Sequence, residues 1–269
     1  MKESMKKILG KDGKAVILGL ENGMQGRFDI DNPGRVLKDA SDAGIDGAIV
    51  TYGLVKHFRD CFGDAGIILK VDAFPTLLAP MEQDEIPDTY FDAQDAYDMG
   101  IQGIMTDNYV GRKIGDKVID VESQKVMTRL AQQADRLGMT YISCCMAYNK
   151  SPVVNDKELQ KKICTVEDMK VACRIPAEMG ADAIKAHCPG PEFKEVLKNT
   201  YIPVFGIVSP EYPDEKRTLE LARNVMDYGC AGITVGNYVF HHPNMKGLLI
   251  ALNAIVHGGA SVDEAMKLL

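Results

Sequence analysis

One lysine of this chain lies where a buried strand is expected. Lys185 belongs to the run Ala183-Ile184-Lys185-Ala186, which follows a helix end and the glycine Gly180. Short apolar runs of this kind are typical of strands in a parallel sheet. Burial disfavours a charged amine and lowers its pKa, so we expect Lys185 to attack a carbonyl carbon and form a Schiff base. The alternative is a core lysine paired with a carboxylate of a neighbouring strand.

Schiff-base chemistry also requires a group that carries protons and groups that orient a hydroxylated substrate. Such residues follow the other predicted strands. The candidates are Glu21 or Tyr148 as the proton carrier, and Asn22, Asp72, Asp107 and Asn108 as partners of substrate hydroxyl groups. His187, two residues beyond Lys185, could enter the same cavity as a substrate-binding residue.

Several of these residues also have an ordinary structural interpretation. Tyr148 could be a loop aromatic that packs on its neighbours, and His187 a loop histidine without a function. Asp72 follows Lys70 by two residues and shares its strand face, so we expect both to pair only with groups of other strands, as in an internal salt bridge. Glu21 interrupts an apolar strand just before a glycine, which favours a functional role.

The elements that position these residues follow a repeated pattern. A helix end, a glycine and an apolar run occur in succession around Gly44, Gly100, Gly138, Gly180 and Gly229, and a glycine in the left-handed conformation commonly ends a helix. Three more apolar runs, at residues 15–20, 67–71 and 202–205, bring the predicted strands to eight. Segments with helical period alternate with them, at residues 33–43, 121–137, 166–179, 192–197 and 214–228.

This alternation predicts an α/β fold, a single (β/α)8 TIM barrel. Residues 1–269 are expected to form one domain because no linker or change of composition divides them. A Rossmann-like sheet is disfavoured because the G-x-G-x-x-G motif is absent, and a flavodoxin-like fold would be too short. In a barrel of this kind the chemistry belongs to the carboxyl ends of the strands.

Composition and charge exclude several functions. A net charge of −7 without a Lys/Arg cluster offers no surface for nucleic acid. No segment resembles a signal peptide or a membrane span, so we expect a cytoplasmic protein with no membrane partner. The seven cysteines form no disulfide framework and are expected to be reduced. The five histidines form no ligand set, so no metal or cofactor is predicted.

Two segments resemble motifs of a known family. Residues 178–185, Glu-Met-Gly-Ala-Asp-Ala-Ile-Lys, are similar to a Schiff-base lysine motif, and residues 254–265 also match. The family is that of the class I aldolases of the DeoC/LacD and archaeal fructose-bisphosphate aldolase group, which includes aminodeoxyheptulosonate synthase and the autoinducer-2 thiolase. The resemblance covers nearly the whole chain. It implies a (β/α)8 barrel, Lys185 as the imine-forming residue and, often, a ring-shaped homo-oligomer.

The chain departs from the family's pattern at the residues that would contact substrate. Glu21-Asn22 stands where the family has Asp-His, and Met146 stands at the position of a tyrosine acid, with Tyr148 two residues further on. The family binds phosphate after strands seven and eight. By that resemblance Gly206, Gly236 and Asn237 are candidate substrate-binding residues.

The phosphate-binding pattern itself is incomplete in this chain. Ile207 replaces the second glycine after strand seven, and Asn237 replaces the arginine after strand eight. The missing arginine removes a charge-assisted contact with phosphate. We therefore predict an unphosphorylated substrate, or another cation such as Lys70 or Lys113.

The sequence as a whole predicts a Schiff-base aldolase, a lyase or transferase of carbohydrate metabolism. Its substrate would be a small hydroxylated keto compound, a sugar or sugar phosphate. One alternative is a sugar-phosphate isomerase that forms no imine and uses Glu21 as base and Lys185 as electrophile. Another is a binding or structural ring protein that has lost catalysis, which the retention of Lys185 disfavours because an unused buried lysine costs stability.

Overall fold

The eight predicted strands form one closed parallel barrel in the computed structural model. The structure describes residues 1–26, 30–72, 88–111, 113–114, 117–147, 165–209 and 214–269. The barrel strands are β1 Ala15–Gly19, β2 Gly47–Val50, β3 Gly66–Lys70, β4 Gly103–Val110, β5 Thr140–Ala147, β6 Ala183–Ala186, β7 Val204–Val208 and β8 Gly232–Val235. Each strand pairs with its neighbours in the chain, and β8 pairs with β1 to close the barrel. The predicted (β/α)8 fold is confirmed.

Helices alternate with the strands around the outside of the barrel. Their described bounds are α1 Glu3–Lys6, α2 Pro33–Asp42, α3 Tyr52–Phe58, α4 Ala93–Asp98, α5 Asp120–Leu137, α6 Val166–Glu178, α7 Phe193–Asn199, α8 Glu215–Tyr228, α9 Asn237–Phe240, α10 Met245–Val256 and α11 Val262–Met266. The sequence predictions had not included two 3-10 helices, Glu21–Gln25 and Arg59–Cys61, or a hairpin that pairs Lys113–Ile114 with Lys117–Val118. Among the described helices, none combines the length and the apolar composition that a membrane span requires.

The segment that leads into β6 shows how the sequence specifies local structure. Helix α6 begins at a capping box, in which the Thr165 side chain accepts from the Asp168 amide and the Asp168 carboxylate accepts from the Thr165 amide. The turn after the helix contains Gly180, whose φ of 95° is left-handed, a conformation that glycine adopts without steric cost. The chain then reverses into the strand that carries Lys185.

The barrel interior is apolar over most of its depth and closed at the amino-terminal end. Ile17, Ile68 and Phe205 are buried there together with Ile8, which belongs to the segment before β1 and is 0% exposed. Close packing at this end requires glycine, because a Cβ at Gly66 would lie 2.5 Å from the Lys7 carbonyl oxygen and 2.9 Å from the Ile8 Cα. Access to the interior is therefore blocked at this end.

Candidate active site

Lys185 lies at the carboxyl end of β6 and pairs with a carboxylate. In register, it is opposite Cys144 of β5 on one side and Phe205 of β7 on the other. Its Nζ donates to Oε1 of Glu21 over 2.9 Å, and the two side chains are 13% and 16% exposed. Glu21 is the first residue of the 3-10 helix after β1. The barrel thus brings together two predicted catalytic residues that are 164 positions apart in the chain.

The pKa of Lys185 is raised above its ordinary value, so the prediction of a lowered pKa was wrong. Burial opposes the charged amine and is the largest single influence on this pKa. It is outweighed by the charges of Glu21 and Asp107, among others, and by the hydrogen bond to Glu21. The amine is therefore protonated at neutral pH before substrate binds, and Glu21 is the carboxylate placed to take its proton.

A small cavity lies beside the Lys185–Glu21 pair, at the carboxyl ends of β1, β6, β7 and β8. Its volume is about 180 Å³, below the roughly 300–1,000 Å³ of pockets that take drug-sized ligands. The lining residues are Gly19, Glu21, Asn22, Lys185, Ile207, Val208, Ser209, Thr218, Thr234, Val235, Gly236, Asn237, Tyr238 and Val239. A larger groove of about 440 Å³ is lined mainly by α5 residues on the outside of the barrel. We place the site at the smaller cavity because the paired amine and carboxylate line it.

Three of the predicted substrate-binding residues border this cavity. Asn22, Gly236 and Asn237 are lining residues, and Nδ2 of Asn22 donates to Oδ1 of Asn237 over 2.9 Å. This contact joins the segment after β1 to the segment after β8, across the strand pair that closes the barrel. The structure therefore groups these residues with Lys185 and Glu21.

Two other predicted substrate-binding residues do not line the cavity. A Cβ at Gly206 would lie 2.3 Å from Cγ1 of Val225 in α8, so this position faces the outer helices. Its neighbour Ile207 faces the barrel interior instead. His187 is exposed on the loop after β6 and is absent from the cavity lining. Alternation along a strand explains Gly206, because successive residues point to opposite faces.

The remaining two, Asp72 and Asp107, hold a second buried lysine. Lys70 Nζ lies 2.8 Å from Oδ2 and 2.7 Å from Oδ1 of Asp72, and 2.9 Å from Oδ1 of Asp107. Oδ2 of Asp72 also accepts from the backbone amide of Asp107 over 2.9 Å. The expectation that Lys70 and Asp72 could pair only with other strands was wrong, since they contact each other directly.

This second lysine is unsuited to bind a substrate phosphate. Lys70 is 1% exposed, and its charge is already matched by two carboxylates. Burial, followed by repulsion from Asp107, raises the pKa of Asp72 to about 6 although Lys70 opposes the shift. Lys113, the other proposed cation, lies in the hairpin, and its side chain is outside the described part of the structure.

The predicted proton carrier Tyr148 lies outside the described residues, which stop at Ala147 before resuming at Thr165. Met146, which stands at the family's tyrosine position, packs against the cluster inside the barrel. Glu21 is thus the predicted proton carrier whose surroundings are described. Asn108, the further candidate for hydroxyl binding, is 1% exposed and donates to Ser143 Oγ over 2.6 Å, so its amide is used within the core.

Sequence reasoning missed two residues near the reacting groups. Cys144 is buried on β5, between the strands that carry Asp107 and Lys185, and burial raises the pKa of its thiol. Thr234 lines the cavity, is 3% exposed, and its Oγ1 has no hydrogen-bond partner. The available signal was its position near the carboxyl end of β8, two residues before Gly236. Within the described ranges, no group of three or more His, Cys, Asp or Glu residues is arranged to hold a metal ion.

Comparisons with known proteins find similar enzymes. The chain is 25% identical to the class 1 fructose-bisphosphate aldolase of Thermoproteus tenax, over 98% of each chain. It is 27% identical to the 2-amino-3,7-dideoxy-D-threo-hept-6-ulosonate synthase of Halobacterium salinarum, over 86% of this chain and 81% of that protein. No protein-family model matches the chain.

A comparison with solved structures supports the barrel fold. An archaeal fructose-1,6-bisphosphate aldolase, whose catalytic Lys is covalently bound to the carbinolamine intermediate of the substrate, matches with a TM-score of 0.80 at 23% identity. The match covers 95% of this chain and 99% of that one. The structure is thus a closed barrel with a largely buried lysine–carboxylate pair at the carboxyl ends of its strands. The predicted resemblance to the class I aldolases is confirmed.

Proposed function

We propose that this chain is a class I aldolase that forms a Schiff base between Lys185 and a small hydroxylated keto compound, a sugar or sugar phosphate. It would then break or form a carbon–carbon bond next to the imine. The observation that carries the proposal is the Lys185–Glu21 pair, with Nζ and Oε1 2.9 Å apart, at the wall of a cavity that both side chains line. The two relatives and the solved structure that match over most of the chain are aldolases or a synthase of a keto sugar.

The ion pair defines the first step of the proposed reaction. A protonated amine has no lone pair for attack, so Lys185 must first lose a proton, and Glu21 is within hydrogen-bond distance to accept it. The neutral amine then adds to the keto carbon, and the carbonyl oxygen takes up a proton to give a carbinolamine. The protonated Glu21 can return its proton to the departing hydroxyl group, which leaves as water.

The resulting iminium ion is the electron sink for the carbon–carbon step. In the cleavage direction, a base removes the proton of the hydroxyl group two carbons from the imine carbon. The bond between the hydroxyl-bearing carbon and the carbon next to the imine carbon then breaks, and the hydroxyl-bearing fragment leaves as a carbonyl compound. The electron pair of this bond moves into the iminium ion, which becomes an enamine. Proton return to the enamine and addition of water release the second product and the free amine. Glu21 is our candidate for the proton transfers, with Tyr148 as a second candidate from the sequence.

The cellular setting is also a proposal. We expect a cytoplasmic enzyme of carbohydrate metabolism that forms a homo-oligomer from its one barrel domain. The names of its relatives support the assignment to metabolism. Size-exclusion chromatography with light scattering would measure the number of subunits.

Borohydride trapping tests the proposed function directly. The protein is incubated with a panel of phosphorylated and unphosphorylated ketoses, reduced with borohydride, and analysed by intact mass and peptide mapping. We expect a reduced adduct on the peptide that contains Lys185. Lys185→Met should abolish both adduct and turnover, whereas Lys70→Met is the matched control for loss of a buried lysine and should keep the adduct.

Two results would contradict the assignment. An adduct on another lysine together with an active Lys185→Met variant would remove Lys185 from the chemistry. Turnover of a sugar phosphate without any trapped adduct would instead favour an isomerase that uses no imine.

A further inference from the structure

The hydroxyl group of Thr234 is buried at the cavity wall without a partner. Thr234 is opposite Ile17 of β1 and Ile207 of β7 in register, and both of these residues pack inside the barrel. A valine would fill the same space with apolar atoms. The Oγ1 atom nevertheless has no hydrogen bond, although the residue is 3% exposed. A buried polar group is normally hydrogen-bonded, so this hydroxyl group has capacity for a ligand.

The charges around the cavity disfavour an anionic ligand. Of the described residues that line it, only Lys185 and Glu21 are charged, and they neutralise each other. The remaining polar lining side chains are neutral alcohols, amides and a phenol. Within the described part of the chain, no lining arginine or second lysine is available for the charge-assisted bonds that hold a phosphate.

The amino-terminal end of α8, near the cavity, carries negative charge of its own. The Asp214 side chain caps this helix by accepting from the Arg217 amide over 2.7 Å, and Oε1 of Glu215 lies 3.1 Å from Nε2 of His242. Burial, and then repulsion from Glu215 and Asp214, raises the pKa of the cavity residue Tyr238. A helix amino terminus attracts anions, but at α8 the carboxylates of Asp214 and Glu215 already supply the negative charge.

Two amide side chains complete a neutral hydrogen-bonding wall. Nδ2 of Asn22 donates to Oδ1 of Asn237, and this bond leaves the Asn22 oxygen as an acceptor and the Asn237 amide group as a donor. Together with Thr234, these groups match the donor and acceptor character of an alcohol. They supply no net charge for a phosphate.

We propose that the substrate is neutral and hydroxylated beside its keto group, and that Thr234 selects it through a hydrogen bond to a hydroxyl group, with Asn22 and Asn237 as further partners. The assignment of that keto group to imine formation rests on the proposed function. A site built to hydrogen-bond a substrate hydroxyl group rejects analogues that leave its own buried group unpaired. Thr234 is thus a specificity-determining residue for unphosphorylated substrates.

Dihydroxyacetone and its monophosphate form a matched pair of probes, because they differ only in the phosphate. Each is titrated against the protein with cyanoborohydride, and the trapped fraction is read by intact mass. We expect half-saturation at a lower concentration of dihydroxyacetone than of its phosphate. Thr234→Val should raise the half-saturating concentration of dihydroxyacetone about tenfold, the ratio that about 1.4 kcal/mol represents. Thr234→Ser keeps the hydroxyl group and should change the half-saturating concentration of dihydroxyacetone by less than about threefold.

A second measurement separates this inference from the proposed function. In the Lys185→Met/Glu21→Gln background no imine can form and the cavity stays neutral, and ligand-observed NMR measures direct binding of the same two probes. We again expect preference for dihydroxyacetone, and weaker binding of dihydroxyacetone when Thr234→Val is added. Thermal unfolding of each variant checks that the fold is retained.

The outcomes differ for the two ideas. If no ketone is ever trapped on Lys185, the proposed function fails, while the effect of Thr234→Val on dihydroxyacetone binding in the NMR measurement still decides the role of Thr234. If the phosphate binds as well as or better than dihydroxyacetone, or if Thr234→Val and Thr234→Ser behave alike, the inference about Thr234 is overturned.

Discussion

Two lysines at the carboxyl ends of described strands, Lys185 and Lys70, differ in access and in partners. Lys185 is 13% exposed and lines a cavity, and among the described residues it forms a direct ion pair with one carboxylate, that of Glu21. Lys70 is 1% exposed and lies between two carboxylates, Asp72 and Asp107. The pKa of each amine is raised, because nearby negative charge outweighs the cost of burial. Burial alone therefore does not identify a nucleophile.

The number of carboxylates beside each lysine is the reason that we assign them different roles. Glu21 can receive the proton of Lys185 and leave a neutral pair, a state in which the amine can attack. If Lys70 gave its proton to one aspartate, the other aspartate would remain charged beside a neutral amine. The buried negative charge would then have no cation to neutralise it, so Lys70 is expected to keep its proton. Lys70 also lacks a route to a substrate among the described cavities. We infer that Lys70 stabilises the barrel, whereas Lys185 reacts.

The largest effect in this comparison is expected from Glu21→Gln. The amide cannot accept the amine proton, so kcat should fall by the roughly 10²–10⁴-fold typical of a lost general acid or base, with a smaller change in KM. Removing the carboxylate also removes the main charge that raises the pKa of Lys185. The pH midpoint of borohydride trapping should therefore move to lower pH even though turnover is slower.

Steady-state kinetics and trapping at several pH values measure the two effects separately. Glu21→Asp is the matched control, since it keeps a carboxylate on a shorter side chain. A Glu21→Gln variant with near-normal kcat would assign Glu21 to holding the charge of Lys185 and would exclude it as the proton carrier.

Lys70→Met should act on stability more than on chemistry. It leaves the buried carboxylates of Asp72 and Asp107 without their cation, and loss of one partner of a buried ion pair typically lowers the free energy of unfolding by about 3–5 kcal/mol. Urea unfolding measures this loss. The triple variant Lys70→Met/Asp72→Asn/Asp107→Asn should recover part of it, because the uncompensated charges are gone. Loss of the Lys185 adduct in folded Lys70→Met protein would show that the two lysines act together.

The smallest effect concerns the pH dependence of stability. The pKa of Asp72 is raised from 3.8 to about 6, so between these values the folded state binds more protons at this group than the unfolded state. Its contribution to stability is full below about pH 4 and is lost as the pH rises through about 6. Relative to the native protein, Asp72→Asn should therefore become more stable as the pH rises through this window.

The difference in the free energy of unfolding between the two proteins should change by at most about 1.4 kcal/mol per pH unit. Urea unfolding of both proteins at pH 4, 5, 6 and 7 measures it. Parallel curves for the two proteins would mean that Asp72 titrates alike in the folded and unfolded states.

The sequence predicted the barrel, and it named Lys185 and Glu21 as candidates, because both inferences depend on local patterns. Glycine turns such as Gly180 marked the strand starts, and the closure of parallel strands brings their carboxyl ends together, so Lys185 and Glu21 could be expected to meet. The direction of the Lys185 pKa shift could not be predicted, since it depends on a 2.9 Å contact between residues 164 positions apart. The same limit applies to Asp107, whose contact with Lys70 crosses between strands.

The roles of Thr234 and Gly206 were not predicted correctly, because each residue type occurs in strands for several different reasons. Threonine is common in strands for its β-branched shape, so Thr234 gave no sign that its hydroxyl group would lack a partner. Gly206 was assigned to substrate through resemblance, but its strand face points to α8. Which face a residue takes depends on where the strand begins, and apolar runs buried on both sides do not reveal this.

The closed end of the barrel has a consequence for the order of folding. Ile8 fits against Gly66, and Lys2 and Ser4 bond to Met139, Thr140 and Asp182, which are 136–180 positions later in the chain. Contacts of such long separation carry a large loop-closure cost until the intervening strands have assembled. We therefore expect residues 2–8 to dock late in folding, on a surface that β3 to β6 must first create.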